Sequence, residues 1–196
     1  MRALVVIAHP CADGFAHAAA ARAIDGLRAA GHHVDTIDLY AEGFRAAMSK
    51  EERIAYDTDD PILDHQVAAH AELLVGAQIL VFVYPTWWSG LPAILKGWLE
   101  RVMVPGVGFR FDPSSGKVRP GLGHVRRIVG ISTYGSSRLA VRLVNDNGRR
   151  ILTRALRMSC GPRARPEWLA LYGMDTSTPA DRTAFLARIE QRLAGV

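Results

Sequence analysis

Hydrophobic residues along this chain fall into strand-length runs separated by helical patterns. Ala3-Leu-Val-Val-Ile-Ala8 and Ile79-Leu-Val-Phe-Val-Tyr84 are unbroken apolar runs, as expected of strands covered on both faces. Arg126–Thr133 and Trp168–Tyr172 read as two more strands, and His33–Asp38, with Val34, Ile37 and Leu39 apolar, as the remaining one. Helical patterns lie between them. Phe15–Ala30 is rich in alanine and closed by Gly31, a good C′ residue. Leu63–Val75 follows, then Pro92–Val104, with proline in the first turn where its missing N–H costs nothing. Arg149–Met158 is the clearest helical part of the next stretch, and Pro179–Leu193 closes the chain with Thr178 as N-cap. Five strands, each followed by a helix, predict an α/β fold with helices on both faces of a doubly wound parallel sheet. The order 2-1-3-4-5 suits this length, and it sets ligands at the carboxyl ends of the first, third and fourth strands.

Two connections exceed the usual length and read as functional rims or partner contacts. Tyr40–Pro61 is polar and irregular, with a capping-box pattern at Ser49-Lys-Glu-Glu52. Pro105–Gly123 is rich in glycine and proline and holds Gly108-Phe-Arg-Phe111 as a short strand. No repeat, low-complexity tract or linker interrupts the pattern, so residues 1–196 are expected to form a single domain.

Composition narrows the setting. With 196 residues, 49% of them hydrophobic, the chain can bury a full core. Its two cysteines, Cys11 and Cys160, make neither a disulfide framework nor a paired metal-ligand pattern, which points to a reducing cytoplasm. The first strand is too short for a secretory signal. No apolar run approaches the roughly 20 residues of a membrane span, so a soluble protein is expected. The net charge of +5 favours anionic ligands. Arg126-Arg127, Arg149-Arg150, Arg163 and Arg165 are scattered, and no nucleic-acid signature accompanies them, so a nucleotide phosphate is favoured over nucleic acid.

Three loops at the strand ends are the candidates for chemistry. His9-Pro-Cys-Ala-Asp-Gly-Phe-Ala-His17 opens onto a helix N-terminus that suits a phosphate, with His9 and His17 as side-chain donors. It has neither the Gly-x-Gly-x-x-Gly nor the Walker pattern. Pro85-Thr-Trp-Trp-Ser-Gly-Leu91 is an aromatic turn between a buried strand and a helix, a seat for a planar heteroaromatic ring. At least one of Trp87 and Trp88 is expected to anchor in the core, and Trp98 to be core as well. Lys96 and Arg101 are assigned to a solvated helix face. Ser132-Thr-Tyr-Gly-Ser-Ser137 lets backbone amides approach the polar edge of such a ring. No nucleophile–base set and no metal cluster stands out, so a cofactor is expected to carry the difficult step.

The run from Pro85 through Thr-Trp-Trp-Ser-Gly-Leu-Pro-Ala-Ile-Leu-Lys-Gly-Trp-Leu-Glu-Arg to Val102 resembles the flavin-binding segment of the NAD(P)H:quinone oxidoreductases, the DT-diaphorase-like branch of the flavodoxin-like fold. Leu4-Val-Val-Ile-Ala-His-Pro10, Asp38-Leu-Tyr40 with Phe44, and Ile131-Ser-Thr-Tyr-Gly135 extend the resemblance in register over about residues 1–137. It implies a flavodoxin-like fold, a bound FAD with FMN as the alternative, NAD(P)H as co-substrate, a quinone-like acceptor and a homodimer. By position it implies His9, Gly14, Phe15, Ala16 and His17 around the flavin phosphate. Pro85, Thr86, Trp87 and Trp88 would lie along the isoalloxazine, and Thr133, Tyr134 and Gly135 at its pyrimidine edge. Three departures stand out. Gly14-Phe15-Ala16 replaces a Ser-Phe-Asn pattern, and Thr133-Tyr134-Gly135 replaces Thr-Gly-Gly, so a phenol either intrudes or folds away. No tyrosine or histidine after Gly135 matches those of the hydride-transfer site, so no catalytic acid or base is assigned. The C-terminus resembles that of the shorter bacterial type. A flavin-binding ancillary subunit of a cation efflux system is the alternative reading; an electron carrier of the flavodoxin type is disfavoured by the basic charge.

Overall fold

The computed structural model describes residues 1–112 and 114–196. The strands β1 (Arg2–Ile7), β2 (His33–Asp38), β3 (Ile79–Pro85), β6 (Arg127–Tyr134) and β7 (Arg165–Tyr172) form a parallel sheet in the order β2-β1-β3-β6-β7. This is the expected order. The last strand begins three residues earlier than its apolar pattern, because Arg165, Pro166 and Glu167 pair with β6 at an exposed edge.

Side chains of the inner strands alternate between two cores, following the period of two of a pleated strand. Leu4, Val6, Leu80, Phe82 and Tyr84 face one core, beneath α3 (His65–Gly76) and α4 (Ala93–Val102). Ala3, Val5, Ile7, Val81 and Val83 face the other, beneath α1 (Phe15–Ala29) and α8 (Pro179–Ala194). The alanines of α1, including Ala16, Ala19, Ala20 and Ala23, are buried against the sheet and α8. Thr178 caps α8, accepting from Asp181 N–H at 3.2 Å.

Both long connections carry structure. The first holds α2 (Lys50–Ala55), started by the predicted capping box, in which Ser49 and Glu52 exchange hydrogen bonds. The second holds a small antiparallel pair, β4 (Phe109–Phe111) and β5 (Val118–Pro120). Between β6 and β7 run α5 (Arg138–Leu143) and α6 (Asn147–Arg150). A π-helical turn, Ile151–Ala155, then leads into α7 (Leu156–Cys160).

Arg101 corrects the expectation from sequence. It is buried, not solvated, and its guanidinium organises the whole first excursion. Nε donates to Glu52 at 2.8 Å, and Nη2 donates to Glu52 and also to Asp64 at 2.9 Å. Nη1 donates to the Arg45 carbonyl at 2.6 Å, and the group lies over the Phe44 ring at 5.1 Å. Asp64 is itself the N-cap of α3. One cation therefore ties two helix N-termini to α4. Gly97 allows the approach, since a Cβ there would sit 2.1 Å from the Ala46 carbonyl oxygen. Lys96, by contrast, is exposed beside Glu100, as expected.

Burial pushes the Glu52 carboxyl up, but hydrogen bonds from Arg101 and from Ser49 N–H outweigh it and hold the group below its ordinary 4.5. The Arg101 hydrogen bond likewise lowers Asp64 from 3.8. Both folded-state values are depressed. Their stabilisation is therefore complete above the ordinary carboxylate range and lost as pH falls through the lowered values. Arg101→Met should cost about 3 kcal/mol at pH 7 by stranding the buried Glu52 charge. Urea titration should show that deficit shrinking toward pH 4, where Glu52 can take up a proton; a deficit that is constant with pH would mean lost packing alone.

Candidate functional site

The ends of β1, β3 and β6 lie side by side, and the loops that leave them enclose a cleft. After β1, the His9 ring accepts from the Cys11 N–H through Nδ1 at 3.2 Å, folding the loop back before α1. Gly14 is the N-cap of α1 and makes no side-chain cap. The first turn of a 15-residue helix thus presents N–H groups and its positive dipole end without a side-chain oxygen to neutralise them. Phe15 stacks on Phe185 of α8, with ring centroids 6.2 Å apart. His17 donates from Nε2 to Asp38 at 2.8 Å, at the end of β2. Its Nδ1 is buried without a partner, an orphan of the kind that a bound ligand or ordered water satisfies.

After β3, Thr86 is fixed twice. Its N–H donates to the Thr133 carbonyl at 2.8 Å, and its hydroxyl shares a hydrogen bond with Ser132 at 2.8 Å. The next residues form a tight turn closed by Gly90 N–H to the Trp87 carbonyl, 3.0 Å. Trp88 (φ 48°) and Ser89 (φ 57°) sit in the left-handed region, which bulky residues adopt only at a cost. Trp87 is 42% exposed and Trp88 fully so, at 103%. The expected core anchor is therefore neither of them. Trp88 is displayed where the backbone turns left-handed, and Trp87 stays partly exposed beside the His9 ring, centroids 6.3 Å apart. Trp98 is the one that fills the core, its indole N–H bonded to His70.

After β6, Tyr134 folds away from the opening between His9 and Trp87. Its ring is buried against Tyr172, with centroids 4.8 Å apart, and its hydroxyl donates to Asp146 at 2.9 Å. Burial first, and then the Asp146 charge, push its phenol far above the ordinary 10. Burial raises Tyr84 in the same way, and its hydroxyl has no partner. Neither phenol ionises near neutrality. Burial also pushes the Cys160 thiol up to about 12, which makes it inert.

His9, Phe15, Ala16, Pro85, Thr86, Trp87, Thr133 and Gly135 line one cleft of about 370 Å³. Trp88 and Tyr134 line an adjoining one of about 360 Å³ that shares Thr86 and Gly135. Gly14 and His17 stand behind the first, at the helix cap and against Asp38. Sequence reasoning missed Met174 and Asp175, which line the first cleft, and Asp146, which lines the second. The former follow β7, whose carboxyl end lies on the same edge of the sheet. The latter sits in the turn-prone tract Asn145-Asp-Asn-Gly148, where Asn145 and Asp146 are left-handed. Among the described residues, no cluster of three or more metal-ligating side chains occurs.

A family model described as Flavodoxin-like fold matches residues 1–193. NAD(P)H dehydrogenase (quinone) 1 of Rattus norvegicus is 32% identical over 125 residues, a stretch covering 56% of this chain and 46% of that protein. The chain thus matches less than half the length of this curated relative. The solved NAD(P)H:quinone oxidoreductase from Methanothermobacter marburgensis has a TM-score of 0.82 at 24% identity and covers 100% of this chain and 95% of that one. An FMN-dependent NADH-azoreductase from Bacillus anthracis, in complex with FMN, has a TM-score of 0.76 at 14% identity, covering 99% and 98%. Likeness at these identities shows the fold.

The aromatic turn makes its own prediction. If the Trp88 side chain serves a ligand and not the fold, Trp88→Gly should relieve the backbone and raise the melting temperature of the ligand-free protein by about 2–4 °C. Trp98→Ala should cost about 3–5 kcal/mol. A lowered melting temperature for Trp88→Gly would mean that its indole packs.

Proposed function

The chain belongs to the flavodoxin-like fold family, and on that premise we propose that it is a flavin-dependent NAD(P)H oxidoreductase acting on a quinone or related electrophile. The observation that carries this reading is the pair of exposed indoles, Trp87 and Trp88, held on a strained turn at the carboxyl end of the central strand. A planar ring laid on them would cover apolar surface that the protein otherwise leaves to water.

The residues suit a flavin. Pro85, Thr86, Trp87 and Trp88 would line the ring, and the backbone at Thr133, Tyr134 and Gly135 would meet its polar edge. The α1 terminus, with His9, Gly14, Phe15, Ala16 and His17, would hold the phosphate mainly through main-chain N–H groups. The absence of a capping side chain and the orphan Nδ1 of His17 support this. FAD is the proposed form, with FMN the alternative, which the azoreductase's FMN favours. When bound, a flavin would supply the redox chemistry: a hydride from the nicotinamide, passed on as two electrons and a proton to the acceptor, with the second proton from water.

The protein's part is placement. The cleft beside Trp88 and Ser136 holds about 360 Å³, room for one planar ring at a time. Donor and acceptor would then occupy it in turn, which is a ping-pong order. Tyr84 and Tyr134 stay protonated and hold the floor, and no side chain here is assigned as acid or base. We also propose a homodimer. Leu139, Leu143 and Val144 are exposed beside the cleft, and a second copy covering them would exclude water from it. The unpaired thiols Cys11 and Cys160 favour a cytoplasmic setting. No described helix is long and apolar enough to cross a membrane.

The purified protein should be yellow, or become so on reconstitution, and chromatography of the released flavin distinguishes FAD from FMN. Anaerobic NADPH or NADH should bleach it and menadione should restore it. Trp87→Ala and Trp88→Ala should each weaken flavin retention about ten-fold, roughly 1.4 kcal/mol. A protein that takes up no flavin would overturn the proposal.

A further inference from the structure

A second opening adjoins the redox cleft and carries a different chemistry. Five arginines line it: Arg138 and Arg142 on α5, Arg149 and Arg150 on α6, and Arg154 in the π-helical turn. Its volume is about 640 Å³. Among the described residues, none of these five forms an ion pair or a side-chain hydrogen bond. Arg2, Arg22, Arg53, Arg101, Arg119 and Arg192 all pair with carboxylates elsewhere. The lining holds one acid, Asp146, which accepts from the neutral Tyr134 phenol and leaves the arginines in excess.

Gathering five like charges around a concavity with one carboxylate among them costs stability, and the net positive potential it creates draws anions. The guanidinium fork matches phosphate in particular, giving two parallel hydrogen bonds per side chain. Irregular backbone brings the group together: Asn145 and Asp146 are left-handed, and a π-helical turn follows α6. Both features are common at functional sites. The arginine cavity and the redox cleft also share Val141 and Asp146 as lining, so one extended molecule can occupy both.

Building on the proposed oxidoreductase activity, we propose that this cavity binds the phosphorylated adenosine end of NADPH, and that the 2′-phosphate makes NADPH the preferred donor over NADH. The nicotinamide end would lie in the adjoining cleft, between Trp88 and Ser136. A compact anion would need two or three arginines. Five across this span suit a ligand with phosphates at both the 2′ position and the pyrophosphate.

The test separates binding from turnover. Calorimetry of the flavin-loaded protein should show adenosine 2′,5′-bisphosphate binding at least ten-fold more tightly than 5′-AMP. The double variant R149A/R150A should abolish that difference, and R138A/R142A should reduce it. R22A, which removes a paired arginine far along the chain, should leave it unchanged. Melting curves check that each variant is folded, which is expected because the five side chains are exposed. In stopped flow, kcat/KM for flavin reduction should favour NADPH about ten-fold, and R149A/R150A should bring the ratio toward one. Equal binding of bisphosphate and monophosphate, or a flavin reduced equally well by NADH, would overturn this inference and leave the oxidoreductase reading standing. A flavin reduced by neither nucleotide would overturn both. Binding of heparin that displaces the bisphosphate while R149A/R150A leaves bisphosphate affinity unchanged would mean a diffuse polyanion surface, and would overturn the cavity as a site.

Discussion

A single main-chain hydrogen bond joins the two turns that shape the cleft. The N–H of Asn147 donates to the carbonyl of Ser89 at 3.1 Å, linking two pairs of left-handed residues, Trp88-Ser89 and Asn145-Asp146. Each pair costs conformational energy, and each is held by contacts outside itself. The first is anchored through Thr86 to β6, the second through Asp146 to the Tyr134 hydroxyl. Gly148 lets the turns meet: a Cβ there would lie 3.0 Å from the Tyr84 hydroxyl and 3.2 Å from the Gly90 backbone. Exposed indoles, buried phenols and the helix that follows are positioned by this junction.

The sheet and the rim obey different physics. The sheet is fixed by apolar alternation on its two faces, which tolerates local substitution as long as volume and pattern survive. The rim is fixed by polar geometry: Arg101 with two helix caps on one side, and Asp146 with Tyr134 on the other. Buried polar groups of this kind are costly when broken, so they specify position more than they add stability. A rigid floor with separately pinned rims keeps a site in place without using core residues to build it.

How legible this was in the sequence follows the same division. Strand order came from apolar runs and crossover handedness, both local or topological rules. The capping box at Ser49 and the N-cap at Thr178 were readable because their partners lie three residues away. The loops around His9, Thr86 and Thr133 were found because the carboxyl ends of parallel strands share an edge. Arg101 was misread because its partners lie 37 and 49 positions away, and nothing local marks a charge as buried. The core anchor expected from Trp87 or Trp88 is neither, since hydrophobicity argues for burial while the positive φ at Trp88 turns its indole outward. The role of Asp146 depends on a tyrosine hydroxyl 12 residues earlier, a pairing that no periodicity announces.

The helix cap at Gly14 has a consequence for genetics. Where the resemblance would place serine and asparagine, the chain has Gly14 and Ala16, which offer only peptide groups at the start of α1. A peptide N–H is common to all residues except proline. A mutational scan that trims side chains to alanine removes nothing at Gly14 or Ala16, while it would register at Phe15 and His17, which pack on Phe185 and bond Asp38. The peptide groups of the terminus answer to changes in the main chain itself, such as a proline or an ester in place of an amide. Silence under side-chain trimming at Gly14 and Ala16 is therefore compatible with a role for their peptide groups.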